Sequence, residues 1–179
     1  TIDKSSPVQI GSSSWTTVSA GAVHTAAIRS GGTLFTWGLG TSGQLGDGTT
    51  ISKSSPVQIG SSSWTTVSAR LYHTAAITST GTLFTWGAGS FGRLGDGTAI
   101  SKSSPVQIGS SSWTTVSAGG AHTAAITSTG TLYAWGVGSF GRLGDGTTID
   151  KSSPVQIGSS SWTTVSAGSI HTAAITSTG

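Results

Sequence analysis

The chain contains no cysteine, no methionine, no asparagine and no glutamate. Without cysteine there is no disulfide framework and no thiolate metal site, and cysteine usage points to no redox compartment. Charged residues make up only 7% of the sequence, and the net charge of +3 comes from eight scattered Lys and Arg set against few acids. With no basic run, this is not the footprint of a nucleic-acid-binding protein. No stretch approaches the roughly 20 apolar residues of a membrane span, and no charged-then-apolar signal segment opens the chain, so membrane insertion is not expected. No segment carries helical periodicity, which argues against a helical bundle. The missing initiator Met, with ends at arbitrary phases of the repeat described next, leads to the expectation of a processed chain or a fragment.

What is present in quantity is Ser (34), Thr (30) and Gly (28). A disordered Ser/Gly tract would lack regularly placed Trp, Val, Ile and Leu, and here they are regular. A 49-residue unit runs over 1–49, 50–98 and 99–147 and begins again over 148–179. Pro7, Pro56, Pro105 and Pro154 keep that interval, as do Trp15, Trp64, Trp113 and Trp162. A fixed period of this length marks a solenoid, propeller or array, in which each unit buries its apolar face against its neighbours.

Within the unit, WTTVSA (from Trp15), HTAAI (from His24) and TLFTW (from Thr33) are β-branched and aromatic and read as three meandering strands. The second and third are joined by residues 29–32, RSGG, with the glycine a tight hairpin needs. The run SPVQI reads as an edge strand because Pro cannot donate to a ladder, and residues 7–10 are assigned to one such strand. A long Gly-rich loop separates TLFTW from the next SPVQI. In it Leu45, Leu94 and Leu143 should tuck under as anchors, and Asp47, Asp96 and Asp145 should form turns.

The motif WGxGxxGQLGDG over residues 37–48, preceded by VSAGxxHTAAI over residues 18–28, resembles the repeat of the regulator of chromosome condensation family. The resemblance recurs over essentially the whole chain. It implies an all-β fold, a β-propeller of four-stranded antiparallel blades, seven in the family. It makes WTTVSA, HTAAI and TLFTW the inner strands and the following SPVQI the outer one, so this chain carries three complete blades and parts of two others. Gly40, Gly89 and Gly138 stand where the family usually has Asn, and the second and third copies read GRLGDG in place of GQLGDG.

The histidines His24, His73, His122 and His171 are each the sole candidate ligand of their unit, and equivalent residues on separate blades are too far apart to converge on one ion. No metal or other cofactor is expected, and each His is read as capping a strand start through a neighbouring turn. The serines recur in SSS and KSS turns with the same neighbours in every copy, and a catalytic residue would be a departure from the repeat, so no catalytic residue is assigned. One carboxylate per GDGT loop falls short of a calcium site. The paired tryptophans of each unit, Trp15 with Trp37, Trp64 with Trp86 and Trp113 with Trp135, are read as blade core, as is Trp162.

Copies two and three differ at seven positions, of which three are consecutive. The linker before each His reads Gly21-Ala22-Val23, then Arg70-Leu71-Tyr72, then Gly119-Gly120-Ala121, then Gly168-Ser169-Ile170. A variable loop patch on a uniform scaffold is what a binding surface looks like. The candidate contact residues are Ala22, Val23, Arg70, Leu71, Tyr72, Gly120, Ala121, Ser169 and Ile170. Arg70 and Tyr72 are of the types enriched at interface hot spots.

Three functions compete on this reading. One is a non-enzymatic structural or protein-binding scaffold, extracellular on a cell surface or on a virus particle (virion). Another, implied by the resemblance, is guanine nucleotide exchange with chromatin attachment. The third is an engineered or recently amplified repeat with no evolved ligand. Incomplete terminal blades lead to the expectation of a partner chain or further copies of the same chain at the ends, with Val8, Ile10 and Val165 in the junction.

Overall fold

A computed structural model describes residues 5–178, and these form fourteen strands. The first sheet is β1 (Trp15–Ala20), β2 (His24–Arg29), β3 (Leu34–Gly38) and β4 (Lys53–Gln58), in that spatial order and antiparallel throughout. The second repeats it with β5 (Trp64–Ala69), β6 (His73–Thr78), β7 (Leu83–Gly87) and β8 (Lys102–Gln107). The third has β9 (Trp113–Ala118), β10 (His122–Thr127), β11 (Leu132–Gly136) and β12 (Lys151–Gln156). A two-stranded sheet of β13 (Trp162–Ala167) and β14 (Thr172–Thr176) follows. Each outer strand comes from the start of the next sequence repeat, as the resemblance implies. The chain is an all-β array of propeller blades.

Local chemistry explains the irregularities of these ladders. Trp64 and Val67 are three apart yet both buried, which strict alternation forbids. The register shift between Trp64 and Thr66 is a bulge that resets the parity. A second bulge lies opposite β7, where Val106 pairs with Thr85 but Lys102 pairs with Gly87. Pro105, which has no N–H for the ladder, falls inside it. Outer strands therefore begin at Lys53, Lys102 and Lys151, ahead of the SPVQI run.

The apolar core lies between blades. Ala26, Ile28 and Leu34 of the first blade meet Ile59, Trp64, Val67, Ala76 and Trp86. The same arrangement joins the second blade to the third through Ile77, Leu83, Ile108, Trp113, Val116 and Trp135. All six residues of β6 and of β10 are buried because these strands have a sheet on either face. Trp86 and Trp135 are fully buried, and Trp64 and Trp113 nearly so. Trp15, Trp37 and Trp162 are only half-buried. The indoles meet edge-on in the second and third blades, Trp64 with Trp86 at 6.0 Å between ring centroids.

Two expectations are corrected. Residues 7–10 are not a strand, because the equivalent runs pair with the third strand of the preceding copy and no such strand stands beside them among the described residues. Val165 is not part of an open junction, since it is buried in the third core cluster with Ile126, Leu132 and Ile157.

Candidate binding face

His24 pairs with Gly38, and Leu39 N–H donates to Val23 O, so the triplet linkers and the Gly-rich loops emerge at the same end of every blade. The β2–β3 hairpins and the linkers from β4 to β5 occupy the other end. The Gly-rich loop is a strap as well as a connection. Leu45, Leu94 and Leu143 are buried beneath it, and Thr36 Oγ1 donates to Leu45 O at 2.7 Å. It then crosses to the next blade, where Gly46 lies flat on the indole of Trp86. With φ at +78° and a Cβ position 2.6 Å from Trp86 Nε1, this site admits only glycine.

The strap ends in a hydrogen-bond junction. Gln44 O accepts from Trp86 Nε1 at 3.0 Å and from Thr74 Oγ1 at 2.9 Å. His24 Nε2 lies 2.8 Å from that same hydroxyl. Because the Thr74 proton is committed to Gln44 O, His24 must be the donor, which puts its proton on Nε2 and leaves Nδ1 bare. The junction recurs as His73–Thr123–Arg93 O and His122–Thr172–Arg142 O. The expected His cap on a neighbouring turn is thus corrected, since the ring reaches across the blade interface to the second strand of the next blade. Burial lowers the pKa of His24 to about 4 and of His122 to about 4, with the charge of Arg142 adding to the effect on His122. Burial, then the charge of Arg93, lowers His73 to about 3. These rings are neutral structural links. His171 is exposed.

The aspartates do form turns. Asp47 Oδ1 accepts from Thr49 N–H at 3.0 Å and from Thr49 Oγ1 at 2.8 Å, and Oδ2 pairs with Lys53 Nζ at 3.2 Å. Asp96 with Lys102 and Asp145 with Lys151 repeat the ion pair. Burial acts to raise these carboxyl pKa values, and the Thr hydrogen bonds and the Lys charge outweigh it, so they lie below the usual range. Among the described residues, no three His, Asp or Glu side chains gather in a metal-binding group.

At the triplet end, Ala22, Arg70, Tyr72, Ser169 and Ile170 are exposed, Val23, Leu71 and Ala121 are half-buried, and Gly120 is buried. Neighbouring triplets are tied to each other, with Ala22 N–H donating to Arg70 O at 3.0 Å and Gly120 N–H to Gly168 O at 3.0 Å. Gly120 is held by this contact and presents little surface. Sequence reasoning missed two further pairs on the same end. Phe91 and Phe140 are exposed, 55% and 81%, at the tips of one-turn 3-10 segments, with φ of +63° and +62°. A bulky residue there costs about 1–3 kcal/mol, the kind of strain that gathers at binding sites. Beside them Arg93 and Arg142 hold their guanidinium carbons 5.8 and 5.6 Å from the Phe ring centres. The signal lay in the contrast between SFGR in copies two and three and TSGQ in copy one, of which only the Arg was noticed.

A family model for the regulator of chromosome condensation (RCC1) repeat matches residues 31–77, 80–126 and 129–175, and a second model for the same repeat matches residues 15–44, 64–93 and 113–142. No curated protein sequence matches the chain. Among solved structures, Prp20p from Saccharomyces cerevisiae, described with its binding properties to Gsp1p and histones, superposes with a TM-score of 0.79 at 21% identity, over 89% of this chain and 43% of that one. Human WBSCR16 gives 0.58 at 19%, over 94% and 59%. The ectodomain of the Physcomitrella patens receptor kinase CR4 gives 0.61 at 18%, over 94% and 39%. At these identities the likeness is one of fold, and the chain spans less than two thirds of each of these proteins.

Proposed function

This chain belongs to the regulator of chromosome condensation repeat family, and from that premise we propose that it is a non-enzymatic propeller scaffold that binds a protein partner through its triplet end. The single observation behind this reading is where the copies differ. Strands and His–Thr junctions repeat almost residue for residue, whereas Arg70-Leu71-Tyr72 is unlike its three counterparts and stands at the end where the straps of the second and third copies also display Phe91 and Phe140. A scaffold constrained by blade-on-blade packing is free to vary only in loops that pack on little. Nearby aromatic and Arg side chains are the usual anchors of a protein interface. One structural relative, Prp20p, described with its binding to Gsp1p and histones and, as yeast RCC1, in a complex with Kap60, is consistent with such a role.

The test replaces Arg70-Leu71-Tyr72 by Gly-Gly-Ala, the triplet of the third copy. With the partner captured from the source organism and purified, affinity for it should fall about tenfold or more, as for loss of a hot-spot pair. The melting temperature should hardly change. Unaltered affinity contradicts the reading.

A further inference from the structure

The charges of the described residues divide unevenly between the two ends. Lys53, Lys102 and Lys151 are each paired with an Asp, and Asp150, exposed and accepting from Gly138 N–H at 2.9 Å, is a single carboxylate beside the third strap with no ion pair among the described residues. Arg29 lies over the ring of Phe35 on the first blade, at the opposite end. That leaves Arg70, Arg93 and Arg142, all at the triplet end, and none of them forms an ion pair among the described residues.

Arg93 is the telling case. The residue is only 7% exposed, and its one hydrogen bond among the described residues is Nε to Ser90 O at 3.0 Å. The equivalent Arg142 uses its terminal nitrogens on Ser139 Oγ at 3.1 Å and on Ser169 O at 3.5 Å, across the blade seam. The equivalent acceptors for Arg93 would be Ser90 Oγ and Gly120 O, and its terminal nitrogens bond neither. Burial lowers its pKa, yet a guanidinium does not lose its proton, so the positive charge is held on a largely buried stem while its terminal nitrogens, unbonded among the described residues, still reach the surface. A bidentate carboxylate is the acceptor whose geometry fits such a free fork.

Building on the reading of this end as a protein-binding face, we propose that its partner is an acidic segment of another protein, with an Asp or Glu carboxylate on the Arg93 fork and apolar side chains against Phe91 and Tyr72. Arg70 and Arg142 supply the surrounding positive field. Nucleic acid fits less well, because backbone phosphates are tracked by a stripe of Lys and Arg, and every described Lys here is already paired. The strained Phe91 is consistent with an aromatic held out for contact.

The experiment measures fluorescence anisotropy of a short labelled peptide of Glu, Asp and Leu, beside its Lys-for-acid counterpart and a single-stranded DNA oligonucleotide. The variant is Arg93→Gln, which restores the residue that copy one carries at Gln44, and its melting temperature reports that the fold is kept. The acidic peptide should bind the wild-type chain, weaken as salt is raised, and lose about tenfold or more in Arg93→Gln, while the Lys peptide does not bind. Equal binding by wild type and Arg93→Gln, or tighter binding of the oligonucleotide than of the peptide, overturns the assignment. If the acidic peptide does not bind but the captured partner still does, and is lost with the Gly-Gly-Ala triplet, the acidic inference falls and the binding face stands. If the triplet replacement also leaves the partner bound, both fall.

Discussion

At the scale of single residues, the account turns on neutral imidazoles and on glycines that only glycine can replace. His24, His73 and His122 titrate near 4, 3 and 4 in the folded chain, against about 6.5 unfolded. Below pH 6.5 the unfolded chain takes up protons that the folded chain refuses. Stability is therefore complete above that pH and is lost as pH falls toward 4, by about 1.4 kcal/mol per pKa unit for each His. The melting temperature should be flat above pH 7 and drop steeply between pH 6.5 and 4, and His73→Gln should make that drop shallower. A flat profile down to pH 4 contradicts the buried neutral assignment. Glycine provides a second test. Gly46→Ala should cost about 3 kcal/mol or more, since it adds a clash with Trp86 to the strain of φ +78°. Gly109→Ala, at φ +61° with open space around it, should cost only about 1 kcal/mol. Equal losses in urea denaturation would show that the loop does not lie on the indole.

At the scale of elements, the blade is a sheet whose stability resides in its neighbour. Thr123→Val should destabilise by about 1–3 kcal/mol, because it leaves both His73 Nε2–H and Arg93 O without their partner in a buried site. Equilibrium unfolding should also show cooperativity lost between the second and third blades, more than within either. Strands were readable from sequence because WTTVSA, HTAAI and TLFTW carry β-branched and aromatic residues between glycine turns, and Leu45 and its equivalents were readable as the lone apolar residues of a glycine loop. The His partner was not. Thr74 lies one residue after its own His and 50 after His24, and nothing local in HTAAI says that its hydroxyl faces the preceding blade. Ser19 was missed for the same reason, its Oγ accepting from Ala69 N–H in the next blade at 2.9 Å. Phe91 and Arg93 escaped because identical loops in two copies looked like scaffold, and their exposure and burial depend on a backbone turn that composition does not reveal.

At the scale of the whole molecule, a repeated scaffold separates what holds it together from what it presents. Inter-blade clusters and His–Thr junctions occupy constant positions of the repeat, and the one run of three consecutive differences between the second and third copies lies at the triplet end. The opposite end displays the same SSS linker in every copy and the same TSTG hairpin in the second and third blades, with RSGG only in the first, so it offers a partner little that distinguishes the second blade from the third. Site-specific photo-crosslinking compares the two ends directly, with the photoreactive side chain placed at Tyr72, Phe91 or Phe140 and, on the other end, at Thr80 or Thr129. The account predicts partner adducts at the first three positions and background at the last two. Adducts at Thr80 and Thr129, with none at Tyr72, Phe91 or Phe140, would contradict it.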